Sequence, residues 1–371
     1  MRPEELKLAL GFNNLLLLPT DKSNIISRRE VDLTTKLSRN ITLKYPIIAA
    51  PMDTISDVET CIALNKIGAA GILHRFMPIE EQVKKAKKIK QESGKCYVAI
   101  GLQDYVRRIN AFYFEGNIVD LFVLDVANGS NVLIENFLNW YNLYNEMFRS
   151  PLDRSGLRDR VDIIVGNTLS KASVSRAINL GADGVRHGIG NGNVCLTTEV
   201  TGIGCPPVTA LYYGWKAIRN NQLENEDRNF IKAPPSLLLD GGIRKPGDLV
   251  KAIVCGADVV ICGNIFAGCE ETPGEIITMY KTLDGQSIRY KKFRGMASKE
   301  VQEEYNLWDG ETKNLFVEGK EILVPYNEKS VVDVVYEFVN GLKSAMTYLG
   351  FSTITEAKGS LWEDRCIGVR I

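Results

Sequence analysis

The sequence predicts an α/β protein folded as a (β/α)8 barrel, the TIM-barrel architecture. Three observations lead there. Short, apolar, β-branched runs recur eight times along 371 residues, and most lead into a helical pattern. The runs are continuous rather than alternating, as strands buried on both faces of a parallel sheet must be. Polar or glycine residues close all eight runs, whereas an open doubly wound sheet would gather its ligand groups near one switch point.

The eight runs occupy residues 46–50, 70–74, 97–101, 121–125, 163–166, 184–188, 237–240 and 259–263. Residues 78–92 and 171–180 are examples of the intervening helical patterns. Two longer segments interrupt the repeat. Residues 138–162 read as a charged, solvated helix or loop. Residues 272–327 leave the eighth strand and carry the run 290–298 and the polar tract 307–320. A structureless connection of that length reads as a flap, either a lid or a binding loop. The last barrel helix follows, with Ser330 as N-cap and Asp333 at its third position. Val331, Val334, Val335, Phe338 and Leu342 recur at helical spacing as a core stripe. The chain from 1 to 371 therefore reads as a single barrel domain with a flap at 272–327.

Composition narrows the function classes. Hydrophobic residues make up 45% and charged residues 24%, as in a globular enzyme. Lys+Arg and Asp+Glu balance at 45 each, so no overall field favours nucleic acid or an anionic membrane. No apolar run reaches the roughly 18–20 residues that span a bilayer, and Met1-Arg-Pro-Glu-Glu-Leu6 does not read as a signal peptide. Eight cysteines lie scattered with no Cys-x-x-Cys pair. That argues against a zinc knuckle or disulfide framework and suits a reducing cytoplasm. His74 and His187 are the only histidines, too few for a His-rich metal site.

The most informative stretch is Gly188-Ile-Gly-Asn-Gly-Asn-Val-Cys195-Leu-Thr197. Alternate glycines let bare backbone approach a ligand, and their N–H groups can cup an anion. A soft nucleophile and a hydroxyl follow at once. In a barrel, catalytic groups gather at the C-terminal strand ends. One rim would then collect Asp53, His74, Arg75, residues 101–103, Asp125 to Asn128, Asn167, the Cys195 loop, Asp240-Gly-Gly242 and Gly263-Asn264. Each has a plainer alternative: Cys195 as a buried structural thiol, Asp53 and Asp125 as helix caps, Asp240-Gly-Gly as a turn. Together they describe two glycine-rich loops for a phosphate, after strands six and eight. An acid between them, on strand seven, suits a ribose diol. The cleft fits a nucleoside monophosphate.

The ordered motifs carry a resemblance. Asn13-Asn-Leu-Leu-Leu-Leu-Pro19, Ala50-Pro-Met-Asp-Thr54, Gly71-Ile-Leu-His74 and Leu124-Asp-Val-Ala-Asn-Gly129 come first. After the Cys195 loop come Thr201-Gly-Ile-Gly204, Asp240-Gly-Gly-Ile243, Ala267-Gly-Cys-Glu-Glu271, Arg294-Gly-Met296 and Glu318-Gly-Lys320. Almost from end to end the chain resembles the IMP dehydrogenase/GMP reductase family, and most of all its GMP reductases. The resemblance implies a barrel that assembles as a homotetramer. Many of the dehydrogenases insert a pair of regulatory (CBS) domains after the second strand. Here residues 79–95 run straight into the third, leaving no room for them.

The family's chemistry, as the resemblance implies it, passes through one covalent intermediate. A cysteine thiolate, here Cys195, attacks C2 of the purine nucleotide to give a thioimidate. The dehydrogenase forms it by hydride transfer to NAD and hydrolyses it with an Arg-Tyr pair in the flap. The reductase forms it by expelling ammonia from GMP and adds hydride from NADPH to release IMP. This chain has no arginine between Arg294 and Arg365. It offers Glu318 instead, which in reductases works with the threonine two after the cysteine, here Thr197. Asp125-Val-Ala-Asn128, in place of the dehydrogenases' Asp-x-Ala-His pattern, leans the same way.

The remaining roles follow from the same resemblance. Residues 190–193, including Asn193, would hold the 5′-phosphate with Gly242, Gly263 and Asn264. Asp240, followed by Gly241, would take the ribose hydroxyls. Arg294, Gly295, Met296, Ala297 and Ser298 would face the purine. Arg75, Asp125, Val126, Ala127 and Asn128 would meet the NADPH, or NAD in a dehydrogenase. Carbonyls of Gly190, Gly192 and Cys195 are candidates for a K+ ion. Asn191, Asn193, Arg75, Thr198 and Ala297 depart from the family's usual residues, and Pro51-Met52-Asp53 matches the dehydrogenases better. These departures leave room for dGMP or a modified purine nucleotide.

Overall fold

In the computed structural model all eight runs are strands of one closed, parallel barrel. The structure describes residues 9–116, 118–147, 161–227, 233–281, 287–305 and 317–370. The strands are β1 (Ile47–Ala49), β2 (Ala70–Leu73), β3 (Tyr97–Ile100), β4 (Leu121–Asp125), β5 (Asp162–Thr168), β6 (Gly184–His187), β7 (Ser236–Asp240) and β8 (Val259–Cys262). They follow one another around the ring in chain order, and β8 closes on β1 through the register Val260↔Ile47. Helices α1 (Val58–Ile67), α2 (Ile79–Ser93), α3 (Tyr105–Phe114), α4 (Val132–Met147) and α5 (Lys171–Asn179) cover the first strands. The short α6 (Thr197–Thr201), then α7 (Pro207–Asp227) and α8 (Pro246–Val254), continue the ring.

The unbroken apolar runs are explained by two cores that share the same strands. Ile48, Ile72, Ala99, Val123, Ile164, Leu238 and Ile261 point inward and fill the barrel. Their neighbours Ile47, Leu73, Val98, Leu124, Val165, Leu239 and Val260 point outward beneath the helices. A small hairpin, Thr35–Lys36 paired with Thr42–Leu43, stops the N-terminal end. Its Leu37 and Leu43 join the inner core, and Asn40 Nδ2 donates to Asp162 Oδ1 at 2.7 Å. With that end stopped, the open rim is the one where the strands finish.

Two connections differ from their sequence reading. Residues 138–162 are less solvated than their charge suggested: Leu138 and Tyr141, on α4, are fully buried, and Asp162 opens β5. Residues 148–160 lie outside those described. The 272–327 segment is not a structureless loop. It builds an antiparallel sheet of β9 (Ile277–Lys281), β10 (Ser287–Arg294) and β11 (Glu321–Pro325), with α9 (Lys299–Glu304) between the last two strands. Alternation in Ser287–Arg294, where Lys291 and Phe293 are buried, is the signal that a strand is present. Much of the polar tract 307–320 falls outside the described residues. The last barrel helix, α10 (Val331–Leu349), starts at Ser330, whose Oγ accepts from Val332 N–H, and buries the valine-phenylalanine stripe. No described helix is long and apolar enough to cross a membrane.

One buried histidine gives the fold a pH signature. His187 ends β6 fully buried, with Nε2 at 2.8 Å from the Ala210 carbonyl and Nδ1 at 2.9 Å from Thr168 Oγ1. A carbonyl only accepts, which puts the ring proton on Nε2. Burial pushes the pKa down to about 4 from the ordinary 6.5. The folded state holds the ring neutral, so this stabilisation is complete above pH 6.5 and is lost as pH falls toward 4. His74, likewise depressed to about 4 by burial, adds to the same window. Urea unfolding between pH 7 and 4 is expected to show stability falling with pH. A His187→Asn variant should have a slope shallower by about one proton; an unchanged slope would contradict the assignment.

Candidate active site

The site is assembled where the strands end. β6 delivers the glycine loop, which runs into α6 and carries Cys195 at its base. Cys195 is half-buried, and its Sγ donates to Thr197 Oγ1 at 3.3 Å. Burial pushes the thiols of Cys61, Cys96, Cys205, Cys255, Cys262, Cys269 and Cys366 up, Cys61 to about 12 and Cys269 to about 11. Cys195 and Cys262 both line the cleft, but Cys262 is buried at the end of β8, whereas Cys195 is half-buried at the rim. A thiolate is the nucleophile, so geometry and burial single out the same residue.

The flap closes over this loop by backbone pairing. Leu196 N–H donates to Glu318 O at 2.7 Å, and Lys320 N–H donates to Val194 O at 3.0 Å. Glu318 N–H donates in turn to Ala297 O at 3.2 Å, so three segments lie side by side. Gly319 makes that approach possible, because a Cβ there would sit 2.9 Å from Ser298 N and 3.1 Å from Ala297 C. Glu318 lines the same cleft as Cys195 and Thr197.

The phosphate end is built from three loops. Asn193, Gly241, Gly242, Gly263 and Asn264 all line the cleft, and Asn193 Nδ2 donates to Asn264 Oδ1 at 3.0 Å across it. Asn191 Nδ2 is buried without a partner among the described residues, a donor that a bound oxyanion would satisfy. Gly190 sits at φ +82°, and a Cβ there would fall 1.9 Å from Thr198 Oγ1. A Gly190→Ala protein is expected to lose about 1–2 kcal/mol from the left-handed backbone alone, besides displacing Thr198. Urea midpoints and nucleotide affinity should fall together; a variant unchanged in both would show that the loop tolerates rearrangement.

The opposite side of the cleft is charged. Arg75 Nε donates to Asp125 Oδ2 at 3.2 Å, and Val126 and Ala127 continue the wall. Arg186, on β6, pairs with both Asp125 and Asp240, its Nε lying 3.0 Å from Asp240 Oδ2. Burial pushes the Asp125 carboxyl up, but Arg186 and Arg75 together outweigh it and hold the pKa below the usual carboxylate range. Among the described residues, Arg186 and Asn167 Nδ2 both donate to Asp240 Oδ2, which leaves Oδ1 for a ligand.

Several residues expected at the site are elsewhere. Arg294 faces away, pairing with Asp53 and with Glu304 at 2.7 Å, and with His74 it lines a second cavity. Its charge is satisfied there by acids that flank the flap. Ser298 is fully buried and caps α9 by accepting from Val301 N–H, so it does not face the cleft. Asn128 is exposed, its Oδ1 held by Ser130 N–H at 2.9 Å in a local turn. Residues 101–103 do not line the cleft either. Gly295, Met296 and Ala297 do. Sequence reasoning missed Arg186, Arg244 and Phe293, all of which line it. The signal for Arg186 was available: a lone charge at an inward position of an otherwise apolar strand.

The finished cleft encloses about 380 Å3, within the roughly 300–1,000 Å3 typical of small-molecule sites. It places a thiol, a hydroxyl and a carboxylate between an anion cradle and a wall of paired charges. Residues 9–363 match the IMP dehydrogenase / GMP reductase domain. The chain belongs to the IMP dehydrogenase/GMP reductase family.

Relatives of both kinds exist. An inosine-5′-monophosphate dehydrogenase of Borreliella burgdorferi is 31% identical over 95% of this chain and 92% of its own length. One from Cryptosporidium parvum is 32% identical over 95% and 90%. A GMP reductase of Lactobacillus johnsonii is 30% identical over 92% and 90%. Members of the family are oxidoreductases that act on purine nucleoside monophosphates with a nicotinamide cofactor. The wall formed by Arg75, Asp125, Val126 and Ala127 fits such a cofactor: a partly exposed guanidinium for its phosphates beside an apolar stretch for its ring. The expected K+ residues Gly190, Gly192 and Cys195 all line the cleft, and Gly192 O accepts Cys195 N–H at 3.3 Å while keeping a second lone pair.

Proposed function

We propose that this protein is a GMP reductase-type enzyme that converts GMP to IMP and ammonia at the expense of NADPH. The observation that carries the reading is Glu318 seated in one cleft with Cys195 and Thr197, in a flap that carries no arginine after Arg294. Hydrolysis of the covalent adduct would need a water-activating base of the Arg-Tyr kind. Deamination needs an acid, because ammonia departs only once protonated.

In this reading the Cys195 thiolate adds to C2 of GMP. The exocyclic amine takes a proton delivered through Thr197 and Glu318, and the C2–N bond breaks. Ammonia leaves, and C2 remains bonded to sulfur as a thioimidate. Arg75, Asp125, Val126 and Ala127 would hold the reduced nicotinamide, whose chemistry when bound would be to supply a hydride to C2. The C2–S bond then breaks, returning the thiolate and releasing IMP. Asp240 and the loops around Asn193, Gly241, Gly242, Gly263 and Asn264 hold ribose and phosphate, while Gly295, Met296 and Ala297 border the base. A homotetramer is part of the same proposal.

The deciding assay supplies GMP, dGMP or IMP with each nicotinamide cofactor, following nicotinamide absorbance and released ammonia. NADPH oxidation with one ammonia per GMP is expected. NAD reduction with IMP would make the protein a dehydrogenase. Turnover of dGMP in preference to GMP would move the substrate to a deoxynucleotide.

A further inference from the structure

The charged groups across the cleft form a single alternating chain. Arg75 holds Asp125 at 3.2 Å, Asp125 holds Arg186, and Arg186 holds Asp240 at 3.0 Å. Side-chain exposures are 28%, 14%, 9% and 19% from one end to the other, so solvent screens the middle least. One end lies on the wall assigned to the cofactor. The other is the carboxylate assigned to the ribose. The geometry points to Arg186 as a positioning residue that couples the two ligands, so that each tightens the binding of the other. The inference rests on the nucleotide-and-nicotinamide reading above.

The direction follows from sharing. Asp125 divides itself between two guanidiniums, and Arg186 divides itself between two carboxylates. A cofactor phosphate that draws Arg75 off leaves Asp125 to Arg186 alone. Arg186 then leans toward Asp125 and loosens its hold on Asp240 Oδ2. Asp240 gains a freer oxygen, and a ribose diol offers two hydroxyl donors. Run the other way, ribose hydroxyls on Asp240 replace the guanidinium, Arg186 turns to Asp125, and Arg75 is released toward the cofactor. Thermodynamic linkage makes the two effects equal. Lysine could not substitute, since a single ammonium lacks the planar fork that spans two carboxylates.

Titration calorimetry tests this with Cys195→Ser in every protein, the wild-type arm included, so that no adduct forms with GMP and NADP+ has no hydride to transfer. GMP is expected to bind at least about fivefold more tightly in saturating NADP+, and NADP+ by the same factor in saturating GMP. An Arg186→Lys protein should bind both ligands with that factor reduced to within about twofold of one. Wild-type protein with 2′,3′-dideoxy-GMP, which has no ribose hydroxyls, should lose the coupling equally, and this arm stands even if the lysine variant does not fold. Full coupling in either arm, or none with GMP in the wild type, overturns the inference. Two ligands that bind independently would leave the enzymatic reading intact, whereas failure to bind either would remove both.

Discussion

A Cys195→Ser protein is expected to bind GMP nearly as well as the parent and to lose at least about 10³-fold in turnover, the scale on which nucleophile removal acts. A serine hydroxyl placed near Thr197 has no adjacent base comparable to what a thiolate requires of its surroundings, and oxygen is the poorer nucleophile at neutral pH. None of the remaining thiols can stand in: all seven are raised by burial, and Cys262, the one of them that borders the cleft, is buried at the end of β8. The measurement pairs NADPH consumption with intact-protein mass. The parent incubated with GMP should gain a nucleotide adduct, and the variant should not. Turnover at the parental rate would remove the covalent step and with it the proposed reaction.

Glu318→Gln is expected to lower GMP deamination by about 10²–10⁴-fold, the usual share of a positioned proton donor. The substitution keeps the backbone contacts through which residue 318 meets Leu196 and Ala297, so nucleotide affinity should change little. Both released ammonia and the adduct should fall together, because the proton is needed before the C–N bond breaks. A normal ammonia rate would instead show Glu318 to be a solvated flap carboxylate, and the case for a reductase over a dehydrogenase would lose its main support.

The barrel was legible because its strands are buried twice. A strand such as Val259–Cys262 packs inward through Ile261 and outward through Val260, leaving an apolar run that no exposed loop would keep. The glycine loop was legible for a related reason, since its cleft-lining backbone has no room for side chains. What could not be read is where long charged side chains turn. Arg294 stands beside Gly295 and Met296 in sequence, yet its guanidinium finds Asp53 and Glu304 on the far side. Ser298 is spent on a helix cap, a local hydrogen bond that competes with any ligand. The flap sheet was overlooked because its polar, charged composition hid a strand pairing fixed only by distant partners such as Arg294↔Glu321.

The short pairing between residues 194–196 and 318–320 means that the thiol and the carboxylate keep common time. To let a nucleotide enter or leave past the flap, the hydrogen bonds from Leu196 and Lys320 must open, and the same opening withdraws Glu318 from Cys195. The acid is therefore absent whenever the door is ajar, and exchange of the two amide protons should rise and fall in step. On the proposed reaction, nucleotide held near an open flap would meet a thiol with no proton donor beside it, which would confine chemistry to the latched state.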